Sequence, residues 1–190
     1  MQRPLAVLVA LGAGALAVGC GASPVTPPPV VAAPPQAAEL AWNERSPATG
    51  PHLVFRVRRF AVTAQGWEAD VEVENRTTVT WELATDRVAV GQSFGIMLFA
   101  TDELAELEER NRSGDLPGLR AAQSFVPELA ATLTPGASWR GTISAHGNLA
   151  AGRYVRVVFG PLVADGSPPA GMPARFVWIT DHAYRLRARP

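Results

Sequence analysis

Trp67-Glu68-Ala69-Asp70-Val71-Glu72-Val73-Glu74 alternates apolar and acidic side chains without interruption. Successive residues of a strand point to opposite faces, so this pattern specifies a strand with Trp67, Ala69, Val71 and Val73 buried and the four acids in water. Asn75-Arg76-Thr77-Thr78 then supplies a turn, and Val79, Trp81 and Leu83 resume the alternation. The two runs are expected as an antiparallel hairpin or near neighbours. Upstream, Leu53, Phe55 and Val57 share one phase while Phe60 and Val62 share the other. A β-bulge at Arg58-Arg59 would produce that one-residue switch.

Downstream, Ser93 to Phe99 is apolar on both phases, with Phe94, Ile96 and Leu98 against Met97 and Phe99, as in a strand covered on both sides. The cover is expected to be a helix over residues 101–113, capped by Thr101 and closed by Gly114. Asp102 and Glu103 suit its positive end, and Arg110 and Arg112 its negative end. Leu104 and Leu107 form a narrow apolar stripe, and Glu106, Glu108 and Glu109 a wet face. These acids lack the spacing and the glycine of a calcium loop. Residues 115–131, broken by Pro117 and Pro127, read as a loop with about one helical turn.

Pro135-Gly136 is a type II turn pair leading into Trp139, Gly141, Ile143 and Ala145 on one phase. Gly147-Asn148 and Ala151-Gly152 mark the next reversal. Tyr154 to Phe159, Phe176 to Thr180 and Tyr184 to Leu186 bring the total to seven or eight short strands. The expected fold is mainly β, an antiparallel sandwich with a short helical insert.

The run Leu133-Thr134-Pro135-Gly136-Ala137-Ser138-Trp139, followed by Leu149-Ala150-Ala151-Gly152-Arg153-Tyr154-Val155-Arg156-Val157, resembles the paired turns and strands of bacterial immunoglobulin-like domains, including the BsuPI-type proteinase-inhibitor domain. The resemblance covers about the last third of the folded part, and the helical insert departs from the compact form. It implies an immunoglobulin-like sandwich in an envelope protein. It carries over neither an inhibitory loop nor a functional residue.

At the other end of the chain, Arg3 precedes an uncharged apolar run from Leu5 to Val18, closed by Leu16-Ala17-Val18-Gly19-Cys20. This ending resembles the bacterial lipobox, although Ala17 stands where the family prefers leucine. The resemblance implies a signal peptide over residues 1–19 and diacylglycerol on the thiol of Cys20, the only cysteine. The apolar run is short for a membrane span. A cell-envelope protein is therefore expected, anchored by lipid on the extracytoplasmic side of the outer or the plasma membrane. From Gly21 to Ala38 the chain is uncharged and contains Pro24, Pro27, Pro28, Pro29, Pro34 and Pro35. Such a segment favours polyproline II, and at about 3.1 Å per residue it reaches roughly 50 Å. Residues 20–51 are read as linker, with Glu39 to Pro51 transitional, and 52–190 as the domain.

Composition narrows the chemistry. Positive and negative side chains balance at 17 each. Together with the scatter of the basic residues, this disfavours nucleic acid as a partner. Every basic residue apart from histidine is arginine, which excludes a Schiff-base lysine and a Walker-type phosphate loop. With one cysteine there is no internal disulfide. Arg185, Arg187 and Arg189 alternate with Tyr184 and Leu186 in what reads as an edge strand with a solvated arginine face. The three histidines, His52, His146 and His182, form no closely spaced ligand pair. Asp181-His182 could serve a hydrolase, but no nucleophile elbow supplies a serine. Glu68, Asp70, Glu72 and Glu74 are expected as a solvated row with ordinary pKa values. Trp67, Trp81 and Trp139 are assigned to the core first, which leaves Trp178 and Trp42 undecided. Asn75-Arg76-Thr77 and Asn111-Arg112-Ser113 match the glycosylation pattern, incidentally in a bacterial lipoprotein. No catalytic residue, metal or cofactor is assigned. The expected function is a non-enzymatic module binding an envelope protein or glycan, with an envelope hydrolase or a carbohydrate-binding module as alternatives.

Overall fold

The computed structural model describes residues 35–83, 94–147 and 152–188. The first strands are β1 (Gln36–Ser46), β2 (His52–Val62), β3 (Gly66–Arg76), β4 (Thr80–Leu83) and β5 (Gly95–Phe99), followed by helix α1 (Leu104–Ser113). Then come β6 (Arg120–Ala121), β7 (Ser124–Val126), β8 (Thr132–Leu133), β9 (Ser138–His146) and β10 (Tyr154–Asp165). The chain ends in β11 (Arg175–Ile179), β12 (Tyr184–Arg185) and β13 (Arg187–Ala188). They form two antiparallel sheets packed as a sandwich. One has the order β13-β1-β2-β3-β9-β7; the other runs β6-β5-β10-β4-β8, with β11 and β12 also paired to β10.

The alternating stretch is β3, with its apolar residues buried and its acids half-buried on the outer face. β2 pairs with it through a register shift between Val57 and Arg59, which is the bulge expected at Arg58-Arg59. The shift keeps Leu53, Phe55 and Val57 before it, and Phe60 and Val62 after it, in the core. The turn between them is tight: the Thr63 N–H donates to the Gly66 carbonyl. A Cβ on Gly66, whose φ is 155°, would lie 2.0 Å from the Ala145 carbonyl oxygen.

β3 and β4 are not a hairpin, contrary to expectation; they belong to opposite sheets. The residues between them cross the sandwich, and Asn75, fully buried, fixes the crossing. Its amide donates to the Val79 and Leu133 carbonyls, and its oxygen accepts from the Thr77 N–H and hydroxyl. All four hydrogen-bonding positions of the side chain are used. The Trp81 indole in turn donates to the Thr77 hydroxyl. The Pro135-Gly136 turn, with Gly136 at φ 81°, docks on the backbone of the same asparagine.

β5 divides its phases as expected: Phe94, Ile96 and Leu98 face the main core, while Met97 and Phe99 face α1, whose Leu107 packs on Phe99 and Tyr154. Two details of the helix differ. Glu103 rather than Thr101 is the N-cap, the Thr101 hydroxyl accepting the Glu103 N–H instead. Leu104 is exposed because only one face of so short a helix meets the sheet. Residues 115–131, expected as a loop, contribute β6 and β7 to different sheets. The largest correction concerns residues 36–46. Assigned to the linker, they form β1 and place Ala38 and Leu40 in the core, because an apolar face outweighs the neighbouring Pro/Ala composition.

Candidate functional site

Among the described residues, β1 has β2 on its inner edge and a strand partner on its outer edge only where Gln36 and Ala37 meet β13. Past a bulge between Glu39 and Trp42, the register sets Trp42 opposite Val57, Glu44 opposite Phe55 and Ser46 opposite Leu53. Directly opposed residues share a face, so Glu44 points inward, toward the core side of the sheet. Its side chain is 11 % exposed.

The segment following β11 covers this open side, and Thr180 holds it in place. The Thr180 N–H donates to the Val157 carbonyl, its hydroxyl accepts from the Val157 N–H, and that hydroxyl donates to the His182 carbonyl. Buried Arg156 donates to the Thr180 carbonyl and, at 2.7 Å, to Asn111 on α1. The turn so fixed presents the Asp181 N–H to Glu44 Oε1 at 2.9 Å and brings His182 Nδ1 to 3.5 Å from the same oxygen. His182 itself is 72 % exposed. Trp42 meets the rings of His182 and Tyr184 edge-on, and Trp178 stacks in parallel on Phe55.

The polar atoms beneath this cover are poorly matched. Glu44 Oε2, the Trp178 indole nitrogen and the Tyr184 hydroxyl are all buried without a hydrogen-bond partner. The indole N–H lies near enough to Glu44 to favour its charged form, but it does not complete a bond. Burial dominates and pushes the Glu44 carboxyl above its ordinary value, against the bonds from Asp181 and His182 that act the other way. Burial likewise raises the Tyr184 phenol, with the Glu44 charge adding to it, and lowers Arg156. The arrangement unites a desolvated acid, an exposed imidazole and aromatic walls.

The other sequence candidates are dispersed. Cys20 lies outside the described residues, as does Arg189. His52, bonded to the Gly50 carbonyl, opens β2 opposite Arg76, whereas His146 closes β9 opposite Gly66, at the other end of the sheet. Glu68, Asp70, Glu72 and Glu74 do face outward, but as an ion-pair ladder rather than a solvated row. Arg59 bridges Glu68 and Asp70, Arg56 bridges Glu72 and Glu74, Arg58 adds to Glu72, and Arg76 adds to Glu74. Arg76, with Arg56, holds the Glu74 carboxyl below its usual range. The arginine tail is not a single edge strand: β12 joins one sheet and β13 the other, with Leu186 buried between them.

Trp67, Trp81 and Trp139 are core residues as expected, while Trp42 and Trp178 pack partly buried at its margin. Asn75, a formal glycosylation acceptor, is fully buried. Among the described residues, no three His, Cys, Asp or Glu side chains converge as metal ligands. Glu44 and Trp42 were missed as site residues because they fell in the assigned linker; the alternation of Glu39, Leu40, Trp42 and Asn43 was the available signal.

No protein-family model, curated protein or solved structure matches the chain.

Proposed function

We propose that this chain is a bacterial envelope lipoprotein, held by acyl chains on Cys20, whose immunoglobulin-like sandwich binds an envelope protein or glycan without catalysis. One observation carries the reading: the sole cysteine closes a basic-then-apolar leader of lipobox type, and an uncharged proline-rich stretch follows it directly. With β1 beginning at Gln36, the spacer of this reading runs from Gly21 to Pro35, a reach of roughly 45 Å at about 3.1 Å per residue. The side of the sandwich carrying Trp42 and exposed His182, with Trp178 and Tyr184 partly buried at its margin, is the binding surface in this proposal, because rigid rings supply contact area at low entropic cost.

The test is crosslinking of the lipidated chain in its own envelope, in parallel with a Trp42→Ala variant. A specific adduct lost in the variant supports the reading; adducts identical in both contradict it as to the surface.

The Glu44–His182 pair favours a second reading, an envelope hydrolase in which Glu44 orients the imidazole as a general base. Hydrolysis of ester or amide substrates that disappears in His182→Ala would establish it over the first.

A further inference from the structure

We propose that residues 181–188, hinged on Thr180, form a proton-responsive clasp over the outer edge of β1, closed when Glu44 is protonated and loosened when it ionises. The geometry is that of a weakly held cover. β12 and β13 each attach through two residue pairs, Tyr184 and Arg185 to β10, and Arg187 and Ala188 to the start of β1. Between them, the Leu186 N–H donates to the Arg153 carbonyl. Beneath lies an acid on the inward side of an edge strand, with one oxygen unpartnered beside an unpartnered indole and phenol. Short ladders over unsatisfied polar groups open at lower cost than the sandwich as a whole.

The sign follows from what faces Glu44. The clasp supplies Asp181, whose charge disfavours a second anion, His182, which favours it, and Tyr184; β10 supplies Arg156, and β11 the Trp178 N–H. Desolvation outweighs the favourable contacts, so the closed state binds the proton more tightly than an open state in which water reaches the carboxylate. Closure is therefore fully stabilised below the ordinary carboxylate range and weakens as pH rises through the raised value of Glu44. Opening would bare the β1 edge from Ala38 to Ser46, which has no strand partner there among the described residues. This inference rests on the folded domain and not on the envelope reading.

Hydrogen exchange of the full chain at about pH 4 and about pH 8, corrected for intrinsic rates, tests it. Protection of the Asp181 to Ala188 amides should fall severalfold at the higher pH while β3 and β9 stay constant, and Glu44→Gln should hold the clasp at its low-pH protection throughout. Equal protection of the native clasp at both pH values would overturn the proposal, as would an unchanged pH dependence in Glu44→Gln.

Discussion

The Asn75 side-chain amide donates to the Leu133 carbonyl at 2.8 Å, joining a strand end of one sheet to a strand of the other. The same side chain satisfies three further groups of the crossing between β3 and β4, so one asparagine stands in for the turn that a hairpin would supply.

Asn75→Ala should therefore be among the most damaging polar substitutions. It strands the buried carbonyl of Leu133 and the buried N–H of Thr77, at about 1–3 kcal/mol for each group water cannot reach, removes one bond from the part-buried Val79 carbonyl, and should lower stability by roughly 3 kcal/mol. Denaturant melts measure it. A loss under about 1 kcal/mol would show that the crossing is held by other contacts.

The two faces of β3 should respond unequally. Val71→Asp places an unpaired carboxyl in the core and should cost several kcal/mol, comparable with the stability of the domain. Glu72→Gln should cost only about 1 kcal/mol, since Glu72 is 13 % exposed but its partners Arg56 and Arg58 keep access to water. That smaller loss should shrink in high salt, and the Val71→Asp loss should not. Urea melts at low and high salt separate the two.

Glu44→Gln should stabilise the protein at neutral pH. The native carboxyl is raised by burial, so its contribution is most favourable at low pH and declines as pH climbs through its raised value; glutamine removes that decline. The gap in Tm between variant and native protein should open with rising pH. A Tm for Glu44→Gln below native at neutral pH would mean that the Asp181 and His182 contacts outweigh desolvation.

Local periodicity carried much of the fold. The alternation of β3, the phase switch at Arg58-Arg59 and the two-sided apolarity of Phe94 to Phe99 each report which faces are buried, and burial imposes that pattern on sequence. Pairing is different. Val79, Trp81 and Leu83 alternate in the same way whether β4 returns beside β3 or crosses to the other sheet, and what decides is a side-chain network at Asn75 that has no period. β6 and β7 are too short to show a period at all. The candidate site was only half legible: Asp181-His182 stood out as a pair, but its partner Glu44 lies far away in the chain, on a strand hidden next to a proline-rich stretch. Its inward placement depends on the β1–β2 register, which the sequence alone does not fix.

The anchor on Cys20 is tested most directly by mass spectrometry of the mature N-terminus, purified from membranes of the host. The proposed function predicts that the first residue is Cys20 and that it carries a diacylglycerol mass, with Cys20→Ser releasing the protein in soluble form because each buried methylene contributes about 0.8 kcal/mol to anchoring. An unmodified Cys20 in a soluble native product would contradict it.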